Sequence, residues 1–474
     1  MGGNIIFLSP TGEALSFLNE CGFGPIRSGP AAAGWELTEE GKKSGIKLDG
    51  FIKNVNASHY YRRSDPWEVW GQAQGVVDSG ILLGRKVDRG WIIIFGSDFY
   101  QQNETIKEVL HNLKNLSGMV LPKIDEIKAA EKSYFYRNKM EYTFSNQRWL
   151  TEDEIKLKNK TPDKNGLGLH KSGMWDKVVD IEKCHLQKDP ANNIRNSVKK
   201  FALDNNLAFF NPREKSGFLR TLMIRNSNQG EFMVLIQFYR ENKEQREAIL
   251  NHLKDKFHLT ALLYCINSKA NDTLYDQEII IYDGSEFITE VMEGLKFRVN
   301  AKSFFQTNAE QAYELYKITR EFAGLKGHEL VYDLYTGTGT IALFIAGKCK
   351  KVVGVESVPE AVAVAKENAE INGIKNTFFE VGDMRKVFNL DFINRHGVAD
   401  LVITDPPRNG MHPDVIRHLL VLAPNKIVYI SCNNATQARD LSLMKEKYKL
   451  SKCQALDMFP QTQHIENVVL LEKI

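Results

Sequence analysis

The chain has 474 residues, 43% of them hydrophobic and 26% charged, enough material for several buried cores and for two to four domains. Its net charge of only +3 excludes a uniformly basic nucleic-acid coat, and no apolar run approaches the ~20 residues that span a bilayer. Six scattered cysteines (Cys21, Cys184, Cys265, Cys349, Cys432, Cys453) have no zinc or cluster spacing and no look of a disulfide framework, so a reduced cytoplasmic setting without a metal is expected.

Residues 1–120 read as a small accessory domain of mixed type. A short apolar run at 5–8 has no basic residue before it, which makes a poor signal peptide. Strand-like runs stand at 67–76 and 91–95, and 104–115 has the pattern of a helix. Tyr60, Tyr61, Trp67 and Trp70 lie near Arg62, Arg63 and Lys53. That mixture suits either a core or a stacking surface for nucleic acid.

Residues 121–299 read as an α/β domain with a basic face. Between positions 132 and 225 stand 19 Lys and Arg against 11 Asp and Glu, an excess of eight positive charges. The rest of the chain must then carry a deficit of five. A basic middle beside an acidic remainder fits a polyanion-binding face or a solvated basic surface. Residues 132–144 interleave aromatics and cations in a strand-like segment. A polar loop at 152–167, a hairpin at 168–180 and a helix at 191–206 follow. The strand at 219–225 carries a cation near each end, and alternation sets Arg220 on the face opposite Leu219 and Thr221. Strands at 232–238, 261–266 and 278–282 and a helix at 244–257 complete the domain.

From residue 300 onward, strands alternate with helices. Strands are expected at 330–334, 351–356, 377–382, 400–405, 426–431 and 468–471, and helices at 309–322, from Thr340, and at 359–372, 413–422 and 435–447. This alternation makes a doubly wound, mainly parallel Rossmann-like sheet, which binds ligands at the carboxyl ends of its strands.

The chemistry-bearing residues stand at those ends. After the first strand, Gly337-Thr338-Gly339 makes a turn that leaves room for a ligand before a helix N-terminus. It lacks the third glycine of a dinucleotide fingerprint and the Lys of a P-loop. Glu356 ends the next strand, where an acid commonly meets ribose hydroxyls, and Asp383 follows the third, placed for an adenine edge. A nucleoside site without a phosphate cradle suits S-adenosylmethionine. Asp405-Pro406-Pro407-Arg408 ends the fourth strand, where the prolines stiffen a turn that presents a carboxylate to a planar polar group. Cys432 ends the fifth. A thiolate adding to C6 of uracil would make C5 nucleophilic, and Glu466 in His464-Ile465-Glu466-Asn467 is a carboxylate able to remove the C5 proton. His464 is a second candidate for that base.

These motifs (FFQTN at 304–308, DLYTGTGT at 333–340, DPPR at 405–408, SCN at 431–433, HIEN at 464–467, and FYRNKMEYTF at 135–144) resemble the RNA uracil-C5 methyltransferases, which form 5-methyluridine. The resemblance runs from about residue 133 to the end. It implies Cys432 as the nucleophile and Glu466 as the base. It also implies Gln306, Tyr335, Gly337, Gly339, Thr340, Glu356, Asp383 and Asp405 as the S-adenosylmethionine site. The partner it implies is a structured RNA, ribosomal rather than transfer RNA, bound by a monomer with no role for a membrane. Asn434 stands where many members have proline, and the four N-terminal cysteines and RNA-binding barrel of the ribosomal branch are not recognisable. Two other readings stay open: an amino-group methyltransferase of the D-P-P type, which needs no thiol, and a non-catalytic RNA-binding factor on the same fold.

Overall fold

The computed structural model describes residues 113–474 apart from 114, 115, 123, 124, 152, 153, 156–163 and 463, together with the backbone of short strands between residues 5 and 95. The chain divides into two compact units, 1–110 with 151–158, and 111–150 with 159–474. In the first, a five-stranded sheet runs in the order Ile5–Leu8, Gly90–Phe95, Leu82–Val87, Glu68–Ala73, Trp35–Leu37. The expected helix at 104–115 and the side chains of Lys53, Tyr60, Tyr61, Arg62, Arg63, Trp67 and Trp70, like Cys21, lie outside the described residues apart from Leu113.

The second unit holds two seven-stranded sheets. The central one is built from β1 (Lys139–Ser145), β2 (Gly166–Lys171), β3 (Met174–Asp180), β4 (Leu219–Asn226), β5 (Phe232–Phe238), β6 (Ala261–Ile266) and β7 (Ile280–Gly284), in the order β3-β2-β1-β4-β5-β6-β7. The polar stretch expected as a loop to residue 167 thus ends in strand from Gly166, which pairs with β1.

Every residue of β4 and β5 is buried. Helices α1 (Ala191–Asp204) and α2 (Lys243–Lys256) cover one face through Ile194, Val198, Ile249 and Leu253. Met223, Met233 and Leu235 enter a second apolar cluster that continues into the C-terminal sheet. Burial on both faces explains why these strands read as continuous apolar runs. It also changes the meaning of their cations. Arg220 stands where the register with β5 slips, and its guanidinium donates to the carbonyls of Asn267 (2.7 Å), Lys269 (2.7 Å) and Ala270 (3.2 Å). Arg225 donates to the carbonyls of Asn300 (2.7 Å) and Ser303 (3.1 Å). Both are structural clamps rather than part of an exposed basic face.

A hairpin of β8 (Phe287–Met292) and β9 (Leu295–Asn300) and helix α3 (Ala309–Ala323) lead to the C-terminal sheet. Asn308 caps α3 by accepting from Gln311 N–H, and Gly324 ends it in the left-handed conformation. The sheet contains β10 (Leu330–Leu334), β11 (Lys351–Glu356), β12 (Thr377–Val381), β13 (Leu401–Thr404), β14 (Lys426–Ser431), β15 (Tyr448–Leu456) and β16 (Glu466–Lys473). Their order is β12-β11-β10-β13-β14-β16-β15. The first five run parallel; β15 and β16 are antiparallel additions. Helices α4 (Thr340–Ala346), α5 (Pro359–Ile371), α6 (Met384–Val387), α7 (Leu390–His396), α8 (Pro413–Leu422) and α9 (Asn434–Ser442) fill the connections. The Rossmann-like expectation holds. Two details differ: α6 and α7 occupy the unassigned stretch after β12, and α9 stops at Ser442 rather than continuing to 447. Among the described residues no helix is long and apolar enough to cross a membrane.

Candidate active site

The strand order brings the carboxyl ends of β10, β11, β13 and β14 side by side. At the end of β10, Tyr335 has φ +65° and Gly337 φ +55°. A Cβ built on Gly337 would meet nothing within 4 Å, so the space above the turn is open. Gly339 serves differently. Its Cβ would come within 2.9 Å of Ala365 and of the Phe379 ring, so this glycine lets α5 and β12 pack closely.

Glu356 holds the turn. Its Oε2 accepts from Gly337 N–H (3.1 Å), while Oε1 accepts from Ser357 N–H (2.7 Å), Ser357 Oγ (2.9 Å) and Val358 N–H (3.0 Å). Oε2 retains acceptor capacity for a hydroxyl. A cleft of about 380 Å³ opens beside it, lined by Tyr335, Ser357, Gly382, Asp383, Met384 and Arg385 on one side and Pro407, Gly410 and His412 on the other. Asp383 lies in this cleft, but its carboxylate caps α6 and is gripped by Arg385. The guanidinium beside it holds its pKa at about 2. Gln306 and Thr340 are 9% and 7% exposed and do not line this cleft; the Gln306 carbonyl accepts from Asn138 Nδ2 at 3.1 Å.

S-adenosylmethionine fits this arrangement. Met384 and Pro407 add carbon to the cleft wall, Glu356 Oε2 keeps acceptor capacity beside it, and the turn at Gly337 is open, a set of groups whose chemistry suits a nucleoside carrying an aliphatic chain.

The second half of the site lies on β13, β14 and β16. Ser431 pairs with Asn467, so Cys432 and Glu466 extend from adjacent ends of one antiparallel pair. The Ser431 hydroxyl donates to Asn433 carbonyl and accepts from Asn433 N–H, folding the chain tightly around Cys432. Cys432 is half-buried, whereas Cys184, Cys265, Cys349 and Cys453 are buried. Burial sets the latter three at about 12, 11 and 12, as inert thiols.

Cys432 is itself pushed up to about 11, by burial first and then by the charges of Glu466 and Asp405; Arg408 opposes them. Asp405 is pushed up to about 7 by burial and by Asp333. Glu466, only 5% exposed, is raised by burial and by Asp405, again opposed by Arg408. The thiol therefore rests protonated, and Asp405, at about 7, exchanges a proton near neutrality, while Glu466 holds its proton more tightly than an ordinary carboxyl. His464 faces Arg408 at 3.3 Å.

Several contributors were not singled out by sequence. Asp333, 1% exposed, accepts from the Thr336 hydroxyl at 2.5 Å and sits at about 7 because of burial. Tyr316 on α3 is buried within electrostatic reach of Asp405, Asp333 and Glu466. Helix α9 fixes the DPPR loop. Asn433 Nδ2 and Thr436 Oγ1 donate to Arg408 carbonyl (3.2 and 3.1 Å), and Arg439 donates to Asn409 carbonyl (2.8 Å). Asp440, wholly buried, accepts from Met411 N–H and from the Tyr429 hydroxyl, both at 2.7 Å. Asp333 and Arg408 lay inside recognised motifs; Tyr316 and Asp440 carry no local signal.

The family model for tRNA (Uracil-5-)-methyltransferase matches residues 217–474. A protein named an uncharacterized RNA methyltransferase from Bacteroides thetaiotaomicron is 51% identical over 370 residues, covering 77% of this chain and 82% of that protein. One from Porphyromonas gingivalis is 49% identical over 373 residues, covering 77% and 80%. Among solved structures, the Pyrococcus abyssi tRNA (uracil-54, C5)-methyltransferase in complex with S-adenosyl-L-homocysteine superposes with a TM-score of 0.63 at 26% identity. That match covers 82% of this chain and 91% of that one. The chain belongs to the RNA uracil-C5 methyltransferase family and is an S-adenosylmethionine-dependent RNA methyltransferase.

Proposed function

We propose that this enzyme methylates uracil C5 in large-subunit ribosomal RNA, in the cytoplasm and as a monomer, through a covalent bond between Cys432 and uracil C6. The observation that carries the mechanism is the pairing of β14 with β16. It sets the half-buried thiol of Cys432 beside the buried carboxylate of Glu466, with Asp405 and Arg408 facing both. In this reading Gln306, Tyr335, Gly337, Thr340, Glu356, Asp383 and Asp405 surround S-adenosylmethionine, with Gly339 shaping the turn. Residues 121–299 hold the RNA and residues 300–474 carry the chemistry.

When bound, S-adenosylmethionine supplies one electrophilic methyl group. Cys432, half-buried and open to water, gives up its proton to solvent, and its sulfur adds to C6, which makes C5 nucleophilic. Asp405, with a pKa near neutrality, orients the ring's polar edge. After C5 has gained its methyl group, Glu466 takes the C5 proton. The C5–H electrons re-form the C5–C6 double bond as the C6–S bond breaks, and the thiolate leaves. The target uridine must leave its stack to reach a half-buried sulfur.

Transfer RNA is the second reading, favoured by the likeness to the Pyrococcus abyssi enzyme, a tRNA (uracil-54, C5)-methyltransferase. The test is to incubate the enzyme with S-adenosylmethionine and unmodified ribosomal or transfer RNA, then digest to nucleosides. 5-Methyluridine in one RNA pool, absent with Cys432→Ala, is the expected result. A methylated amino group made equally well by Cys432→Ala would overturn the mechanism.

A further inference from the structure

Tyr134 and Phe135 stand together on the surface, 45% and 43% exposed. His185 meets both edges, with ring centroids 6.2 and 6.1 Å away. Single exposed rings are ordinary, but here three form one patch on an unusual backbone. Phe135 has φ +55°, a conformation that glycine adopts freely and a bulky side chain rarely does. Phe135 N–H donates to His185 carbonyl and Arg137 N–H to Leu186 carbonyl, both at 2.8 Å, so the conformation is locked. A turn chosen for conformation alone would carry glycine there.

The patch is also tied to the loop that leads to Glu466. The Tyr136 hydroxyl donates to Pro460 carbonyl at 3.0 Å, and Gln461 Nε2 donates to Ser133 carbonyl at 3.2 Å. Lys183, two residues before His185, is exposed and adds positive charge.

We infer that Tyr134, Phe135 and His185 form a stacking platform for a nucleobase flanking the methylated uridine in single-stranded RNA. The inference rests on the uridine methylation proposed above. Extracting one nucleotide breaks the stacking of its neighbours, and aromatic faces beside a cation replace that stacking whatever the base.

The probe is a single-stranded RNA of about 12 nucleotides, with a central uridine flanked by 2-aminopurine, whose fluorescence falls on stacking. Wild-type enzyme should quench it. The double variant Tyr134→Ala, Phe135→Gly should bind about 10- to 100-fold more weakly, without quenching. Its melting temperature and S-adenosylmethionine affinity should be unchanged, because glycine suits φ +55° and Tyr134 is exposed. Tyr134→Phe should behave as wild type. Wild-type binding without quenching, or undiminished binding and quenching by the double variant, would overturn the platform. A covalent adduct with 5-fluorouridine RNA reads the methylation separately. Quenching that depends on Tyr134 and Phe135 in an enzyme unable to form the adduct would support the platform and sink the methylation mechanism.

Discussion

Removing the charge of Glu466 should make Cys432 more acidic. The thiol sits at about 11 against an ordinary 9.0, raised by burial and then by Glu466 and Asp405. At pH 8 a thiol of that pKa is thiolate in about one molecule per thousand. A nearby like charge in a buried site is worth roughly one pKa unit or more. Glu466→Gln should therefore bring the thiol down by about one unit and alkylate about tenfold faster between pH 8 and 9. Arg408→Ala should act in the opposite direction, since the guanidinium stabilises the thiolate. The assay is iodoacetamide labelling from pH 7 to 10, quantified by mass spectrometry on the Cys432 peptide so that other thiols do not contribute. Wild-type labelling should still be climbing tenfold per pH unit at pH 10. A plateau below pH 9, or no acceleration in Glu466→Gln, would refute the electrostatic account of this site.

Other consequences follow from the same contacts. Glu356→Gln keeps the side chain's size but turns one of its two accepting oxygens into a donor, so it loses the charge and part of the hydrogen bonding that holds the turn. S-adenosylmethionine binding by calorimetry should weaken about 10- to 100-fold, and unchanged affinity would remove Glu356 from the cofactor site. Gly410 has φ +75°, and its Cβ would lie 2.6 Å from both Arg439 Nη2 and Asp440 Oδ2. Gly410→Ala should thus displace the DPPR loop and cut kcat at least tenfold, whereas wild-type turnover would deny the clamp its role. Asp457 is pushed up to about 6 by burial, above the usual 3.8. Its ionisation therefore costs folding stability progressively from pH 4 to 6, and fully above. Asp457→Asn should stabilise by up to about 3 kcal/mol at pH 8 and not below pH 4; equal changes in melting temperature at both pH values would contradict this.

The C-terminal sheet was legible because parallel strands buried on both faces are continuous apolar runs, and turn residues punctuate them. Strands at 330–334, 351–356 and 426–431 match the expected limits. Helices α6 and α7 were not seen, because four and seven residues are too few to show a period. The hairpin β8–β9 escaped because its partly exposed alternation resembles a polar linker. Charge was the least informative signal. Arg220 and Arg225 count toward the basic excess, yet both are consumed by carbonyls inside the fold. The motif residues were readable one by one, but their electrostatic coupling was not. Asp440 and Tyr316 reach the site only through tertiary packing, and Gly339 serves the packing of α5 and β12 beneath the turn.

The most direct test of the central claim is a covalent trap. The enzyme is mixed with S-adenosylmethionine and 5-fluorouridine-substituted ribosomal or transfer RNA, and the products are separated under denaturing conditions. Fluorine at C5 cannot leave as a proton, so the reaction should stall with RNA attached at Cys432. The account predicts an adduct with wild type, none with Cys432→Ala, and a labelled peptide that contains Cys432. An adduct that persists in Cys432→Ala, or 5-methyluridine formed from normal RNA with no adduct from its fluorinated counterpart, would contradict it.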